Sequence, residues 1–352
     1  MRGADPGVVT RALDTDDPLP ETRGFAGELP DGRLVRDVLG RVPLYTDGDE
    51  WSHRPHGLSD PTPLPAGHVR ADGQIRRAWS LPDPDPTGDA DAVRDAVGAS
   101  LADVDDDGLA VAFSGGVDSA LVASAVDAPL YVVGFPDSHD VAAAREAAAE
   151  MGRDLTVVEL SLSDVERAVP EVARGIDRTN AMDVAIALPL YLVADRVAAD
   201  GHDRLAVGQG ADELFGGYAK VAKAPEDPRV EANTVRSARR EVVRSLPEQA
   251  SRDVLALRAA GVTPVAPFLD DRVVETALSL PGDALVSGDT RKVALRAAAR
   301  DFVPDAVAAR DKKAVQYGSL VSRELDRLAR QAGFKRRMDD HVSKYVADRL
   351  CD

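Results

Sequence analysis

Residues 109–119, LAVAFSGGVDS, decide how this chain is read. A short apolar run ends at Phe113, a tight Ser114-Gly115-Gly116 loop follows, and Asp118-Ser119 open a helix expected from Ser119 to Val126. A strand, a glycine loop and a helix N-terminus in succession make an anion site. The glycines let the backbone turn and approach the ligand, the first helical N–H groups point at it, and the helix dipole favours negative charge there. Ser114, Gly115, Gly116, Val117, Asp118 and Ser119 are therefore expected to hold a phosphate group. The loop is not the Walker form, GxxxxGK[ST], because an acid, Asp118, stands where that motif has its lysine. An acid beside a phosphate implies a magnesium ion between them.

Outward from this loop, apolar and helical stretches alternate. Strands are expected at 109–113, 130–134, 155–159 and 204–207, with helices near 89–103, after the loop, at 138–151 and through 163–200. The alternation implies an α/β fold with a doubly wound parallel sheet, in which ligands bind at strand carboxyl ends near a switch in strand order. From 229 onward the pattern is mostly helical, punctuated by Pro247, Pro264, Pro267, Pro281 and Pro304. Residues 1–80 differ: GFAGEL, RLVRDVLG, VPLYTD and GHVRADGQIRRAWSL are short strand-like pieces separated by Asp-Gly turns, the pattern of a small antiparallel β module. The Pro/Asp-rich residues 81–91 form the expected linker, and 92–352 the main domain.

Composition narrows the classes. At 352 residues and 44% hydrophobic content the chain is globular and long enough for a large core. A net charge of −17 suits solubility in concentrated salt and disfavours a nucleic-acid partner. Cys351 is the only cysteine, which excludes disulfides, Cys-ligated zinc and iron–sulfur clusters within one chain. No apolar run approaches the ~20 residues that span a bilayer, and MRGADPGVV holds no apolar signal core, so the expected location is cytoplasmic.

SGGxDS resembles the pyrophosphate loop of the ATP-pyrophosphatases, which cleave ATP between its α and β phosphates. A second stretch, RLAVGQGADELFGGY at 204–218, is similar to the SGEGSDEVFGGY segment of the glutamine-dependent asparagine synthetases. YVVGFPDSHD at 131–140, ALPLYL at 187–192, APFLD at 266–270 and a KxxLR helix from Lys292 to Arg296 resemble further blocks of that family in the same order. The resemblance covers roughly residues 21–320 and is closest to the asparagine-synthetase-domain-containing proteins.

It implies an adenine nucleotide α-hydrolase-like fold that uses ATP and Mg2+. The 114–119 loop would bind the leaving pyrophosphate, and Asp118 and Asp212 would be magnesium ligands. Lys292 would stabilise developing charge; Asp212 and Lys292 are the catalytic candidates. Val133 and Gly134 would read the adenine edge, with Gly208 on the ribose side and Gln209 beside it among the cofactor-binding residues. The implied reaction is AMP-forming amide ligation, in which a small-molecule carboxylate is adenylylated and then attacked by ammonia or an amine.

Two departures bear on the acceptor. Gln209 replaces a family glutamate and can hydrogen-bond but not take a proton. MDVAIAL at 182–188 stands where the family has TTIRAST, so Ala185 occupies the position of an arginine that grips a carboxylate; Arg178 or Arg291 are possible replacements. Lys312 and Lys313, before Gln316-Tyr317-Gly318-Ser319, are weighed as a phosphate-facing loop or a charged turn, and FKRRM at 334–338 as a solvated basic segment.

VRDVLGRVPLYTDGDE at 35–50 and LPAGHVRADGQIRR at 64–77 resemble the later half of the synthetases' glutaminase domain, whose nucleophile is an N-terminal cysteine. Arg2 follows Met1 here, so the module is expected not to hydrolyse glutamine, and a separate glutaminase chain is a possible ammonia source. Two further readings stay open: a tRNA-modifying ATP-pyrophosphatase, whose thiolating members need cysteines this chain lacks, and a non-catalytic nucleotide-binding or scaffold protein.

Overall fold

A computed structural model of the chain describes residues 1–224, 233–310 and 319–351. The chain folds into two compact units interleaved along the sequence. The first comprises Met1–Val104, Gly208–Ser251 and Ala266–Phe302, the second Asp105–Val207, Arg252–Val265 and Val303–Asp352.

In the first unit the N-terminal residues form strands β1 (Ala26–Glu28), β2 (Leu34–Arg36), β3 (Tyr45–Asp47), β4 (Glu50–Ser52), β5 (Thr62–Pro63), β6 (His68–Ala71) and β7 (Gln74–Arg77). They pair into two antiparallel sheets, ordered β1-β2-β6-β7 and β4-β3-β5. The β6–β7 hairpin turns at Asp72 and Gly73, both with positive φ (50° and 72°), the backbone form that an Asp-Gly pair favours. A helix, Pro6–Asp14, precedes the strands and is an addition to the β module expected here. Its signals are Asp5, whose side chain caps the Gly7 amide at 2.8 Å, and proline in the first turn. Residues 81–89 carry no regular element and are strapped down: Arg240 donates to the carbonyls of Leu81 (2.9 Å) and Pro82 (2.7 Å), and Arg236 to that of Pro84. Helix Ala90–Ala102 then starts behind an Asp89 cap.

The second unit holds the parallel sheet: β8 (Leu109–Ala112), β9 (Leu130–Gly134), β10 (Leu155–Glu159), β11 (Arg204–Ala206) and β12 (Thr263–Val265), ordered β10-β9-β8-β11-β12. The chain runs outward from β8 to β10 and returns to lay β11 on the other flank of β8, so the order switches between β8 and β11. β12 was not expected within the helical region. Three residues containing a proline show no strand periodicity, and Pro264 is tolerated because β12 is an edge strand. The helical stretch 163–200 is two helices, Leu162–Ile176 and Ala181–Ala199. They part at Asp177, which adopts the left-handed conformation, and resume behind an Asn180 cap. No helix among the described residues is long and apolar enough to cross a membrane.

Candidate functional site

The first candidate element lies in the second unit, at the carboxyl end of β8. Phe113 is buried and its amide donates to the Tyr131 carbonyl at 2.7 Å, so the turn starts from a rigid point. The helix that follows is Val117–Ala125, two residues earlier than the sequence suggested. Its N-cap is Gly116, and no side chain caps it. Ser119 instead turns back into the loop, accepting from the Ser114 amide (3.2 Å) and donating to the Gly116 carbonyl (3.1 Å). Among the described residues no N-cap side chain takes the first backbone N–H groups of this helix, the groups an anionic phosphate uses. Gly115 has φ +73°, and a Cβ there would lie 2.5 Å from the Ala143 carbonyl oxygen, so only glycine fits. Asp118, in the first helical turn, is 7% exposed.

At the other end of this helix, Arg153 donates to the carbonyls of Ala123 (2.6 Å), Val126 (3.0 Å) and Ala128 (2.7 Å). A cation there satisfies carbonyls the helix leaves open and complements its dipole. Sequence reasoning missed this residue, since nothing local marks an arginine that acts on a preceding helix.

β9 supplies a second feature. The Tyr131 carbonyl faces β8, and the two-residue period turns the N–H and C=O of Val133 to the same side. Pairing with β8 ends at Ala112–Tyr131, so Val133 offers its backbone where β8 no longer runs. Gly134 faces the opposite way, its carbonyl accepting from the Leu160 amide at 3.0 Å. A donor–acceptor pair beyond the end of β8, with no backbone partner among the described residues, suits the edge of a purine. An uncapped helix N-terminus, a glycine cradle and this edge fit a nucleotide, and the oxygen ligand of Asp118 is of the hard type that magnesium takes.

The second element lies in the first unit. Gly208 and Gln209 are partly exposed, and Gly210, with φ +93°, starts the one-turn helix Ala211–Leu214. Lys292 Nζ sits 2.7 Å from Asp212 Oδ1. The lysine does not lie within a helix, as its motif suggested; it is the left-handed N-cap of Val293–Ala299, with φ +58°. Gly217 closes the arrangement: its amide donates to the Asp212 carbonyl at 2.8 Å, and a Cβ on it would collide with Asp212 Oδ1 and Lys292 Cε. Glu213 is buried and accepts a 2.5 Å hydrogen bond from the Tyr218 hydroxyl. Burial, and then the neighbouring charge of Asp212, push the Glu213 carboxyl above its ordinary range. The Tyr218 contact was not foreseen, although both residues stand in the quoted motif.

Of the residues weighed for the acceptor, Ala185, Ile186, Leu188 and Arg178 sit in the second unit. Ala185 and Leu188 are buried on helix Ala181–Ala199, with Ile186 partly exposed. Arg178 is held by Asp183 at 3.0 Å, and Asp183 also meets Arg252 (3.1 Å) and Asn180 (2.7 Å). Burial opposes the Asp183 charge, but these donors outweigh it and lower its pKa. Arg291, in the first unit, donates to the Gly217 carbonyl at 2.7 Å. Lys312, Lys313, Gln316, Tyr317 and Gly318 lie outside the described residues, while Ser319 is buried and accepts from the Phe135 amide at 3.3 Å. The 334–338 segment is a surface feature, its Arg336 meeting Asp326 at 2.7 Å.

The family model for asparagine synthase matches residues 90–258 and 225–350. A protein of Methanocaldococcus jannaschii provisionally named asparagine synthetase (glutamine-hydrolyzing) 1 is 30% identical over 273 residues, covering 67% of this chain and 50% of that protein. Asparagine synthetase B (glutamine-hydrolyzing) of Escherichia coli is 27% identical over 326 residues, 81% of this chain and 58% of its own length. Asparagine synthetase (glutamine-hydrolyzing) of Asparagus officinalis is also 27% identical, over 360 residues, 90% of this chain and 58% of the relative. The chain spans about half the length of the curated relatives it matches. The matched region takes in both glycine loops and Lys292, and the chain belongs to the asparagine synthase family.

Proposed function

We propose that this chain is an ATP-dependent, AMP-forming amide ligase. A carboxylate oxygen of the acceptor attacks the α-phosphorus and the bond to the β-phosphate oxygen breaks, releasing pyrophosphate. Ammonia or an amine then adds to the acyl carbon, loses a proton, and AMP leaves. Magnesium, when bound, would neutralise phosphate charge and orient the in-line displacement.

The chain's own residues divide this work. The 114–119 loop receives the phosphates through backbone N–H groups, with Asp118 as a metal ligand. Val133 offers its edge to the adenine. Asp212 and Lys292 supply the charged side chains: Asp212 as a metal-ligand candidate, Lys292 as a fixed positive charge for oxygens that gain negative charge in the transition state. Gln209 hydrogen-bonds only, so no carboxylate at that position takes the amine proton. The observation that carries the reading is the glycine cradle: Gly115 fits only without a side chain, at a helix N-terminus that no side chain caps.

The test is ATP–pyrophosphate exchange across a panel of carboxylic acids. Exchange that depends on one class of acid is expected; ATP binding with no exchange for any acid would leave a nucleotide-binding protein without ligase chemistry. Aspartate is expected to be a poor acceptor. Ala185 offers no cation to its α-carboxylate, and stranding a buried charge costs about 2–5 kcal/mol. At about 1.4 kcal/mol per decade this is roughly one and a half to three and a half orders of magnitude in selectivity. Efficient aspartate-dependent AMP formation would restore plain asparagine synthesis. Ammonia would enter free or from a glutaminase.

A further inference from the structure

Two buried arginines fasten the N-terminal residues to later parts of the first unit. Arg36 donates to the carbonyls of Gly40 (2.7 Å), Val42 (3.0 Å) and Leu64 (2.9 Å) and to the Ser251 hydroxyl (2.8 Å). Arg41 reaches further. Its Nε meets Asp37 Oδ1 at 2.8 Å, and its Nη1 meets both Asp271 Oδ1 at 2.6 Å and the Leu269 carbonyl at 2.7 Å. The Arg41 side chain is 2% exposed, Asp37 0% and Asp271 1%, so this fork is sealed from water. Thr22 completes the seat of Asp271, donating to its carboxylate from the amide (2.8 Å) and the hydroxyl (3.0 Å).

From Leu269 the contact passes to the second glycine loop. Leu269 ends the 3-10 turn Pro267–Leu269, and its side chain fills the space beside Gly210: a Cβ on Gly210 would lie 2.5 Å from Leu269 Cδ2. Gly210 begins the turn that carries Asp212, two residues further on, and Asp212 meets Lys292. Arg41, the Leu269 backbone, the Leu269 side chain and Gly210 therefore form an unbroken packed series that ends next to Asp212, all within one compact unit.

We propose that Arg41 is a positioning residue: through the Leu269 carbonyl and Asp271 it presses Leu269 against Gly210 and so sets where Asp212 stands. The N-terminal residues then serve the second loop as a brace. This rests on the proposed function only in taking Asp212 as a site residue. A guanidinium is required because one planar fork serves two carboxylates and a carbonyl at once, which the point charge of a lysine does not.

The test uses the full chain with Arg41→Lys, Arg41→Met and Leu269→Ala, followed by amide hydrogen exchange. Exchange across 208–217 is expected to rise about tenfold or more, further in Arg41→Met than in Arg41→Lys, with 109–112 and 130–134 at wild-type rates. Arg41→Met leaves two buried carboxylates without their cation and is the variant most exposed to misfolding. Leu269→Ala changes no charge and carries the test alone; wild-type protection of 208–217 in that variant overturns the proposal. Where the wild type exchanges pyrophosphate, Arg41→Lys is expected to lower kcat about tenfold while KM for ATP stays within about twofold, and an unchanged kcat counts against positioning. A wild type that exchanges with no acid counts against ligase chemistry, while the 208–217 protection still decides the brace.

Discussion

The Ser114–Ser119 loop and the Gly208–Tyr218 loop follow neighbouring strands of one parallel sheet, yet they offer a ligand different chemistry. The first is almost all backbone: an uncapped helix N-terminus, a glycine that admits no Cβ, hydroxyls folded inward and one acid. The second is charge on side chains: Asp212 on Lys292 at 2.7 Å, and a buried Glu213 held by Tyr218. A backbone cradle reads shape and is broken by volume. A side-chain pair reads charge, and is altered by substitution or by pH while the backbone keeps its course.

Gly115→Ala should have the largest effect. The new Cβ meets the Ala143 carbonyl at 2.5 Å and the residue must hold φ +73°, a strain of roughly 1–3 kcal/mol that the loop relieves only by moving. Nucleotide affinity is expected to fall about a hundredfold or more, read by titration calorimetry. Gly201→Ala is the control: φ there is +94° but nothing lies within 4 Å, so affinity should stay at the wild-type value. Equal losses in the two variants would mean the cradle is not special.

Lys292→Met tests the other kind of site. It removes a charge while keeping a long apolar stem, so ATP binding should survive and turnover should fall by about 10²–10³, the scale of one lost transition-state donor. Wild-type turnover in this variant would dismiss Lys292 from the chemistry. A collapse of ATP affinity equal to that of Gly115→Ala would erase the distinction between the loops.

The smallest effect concerns Glu213. Its folded pKa is raised, first by burial and then by Asp212, above the unfolded value of about 4.3. Between those two values the folded state binds more protons than the unfolded one, so this contribution to stability is complete below the unfolded pKa and is lost as pH rises through the folded one. Glu213→Gln should flatten that limb in urea midpoints measured against pH, and an unchanged slope would count against a raised carboxyl. Binding through the 114–119 loop should show no matching change.

The cradle was legible because its demands are local. A loop that bends onto an anion needs glycine at set positions between a strand and a helix, and Ser114 to Ser119 display that order without any partner. The helix start was misplaced because Ser119 is not a cap; it hydrogen-bonds back to Ser114 and Gly116, leaving Gly116 as an N-cap with no side chain. Lys292 was found by its motif, but its left-handed conformation was not, since non-glycine residues rarely adopt that geometry and only the packed surroundings impose it. Strand Thr263–Val265 left no trace because three residues are too few for a period, and Arg153 left none because its partners precede it by 25 to 30 positions.

Legible from the residues alone were the α/β alternation, the strand–glycine loop–helix turn at 109–119, the antiparallel N-terminal strands and the family, since each follows from residues a few positions apart whose backbone geometry and hydrogen bonds are settled among neighbours. Which charges meet was set by the packing of distant segments: Asp212 with Lys292, Asp183 with Arg252, and Arg41 with Asp271 across 230 positions. A buried charge needs an opposite charge or hydrogen-bonding partners beside it, and which of them reach it depends on where the folded chain brings distant segments together.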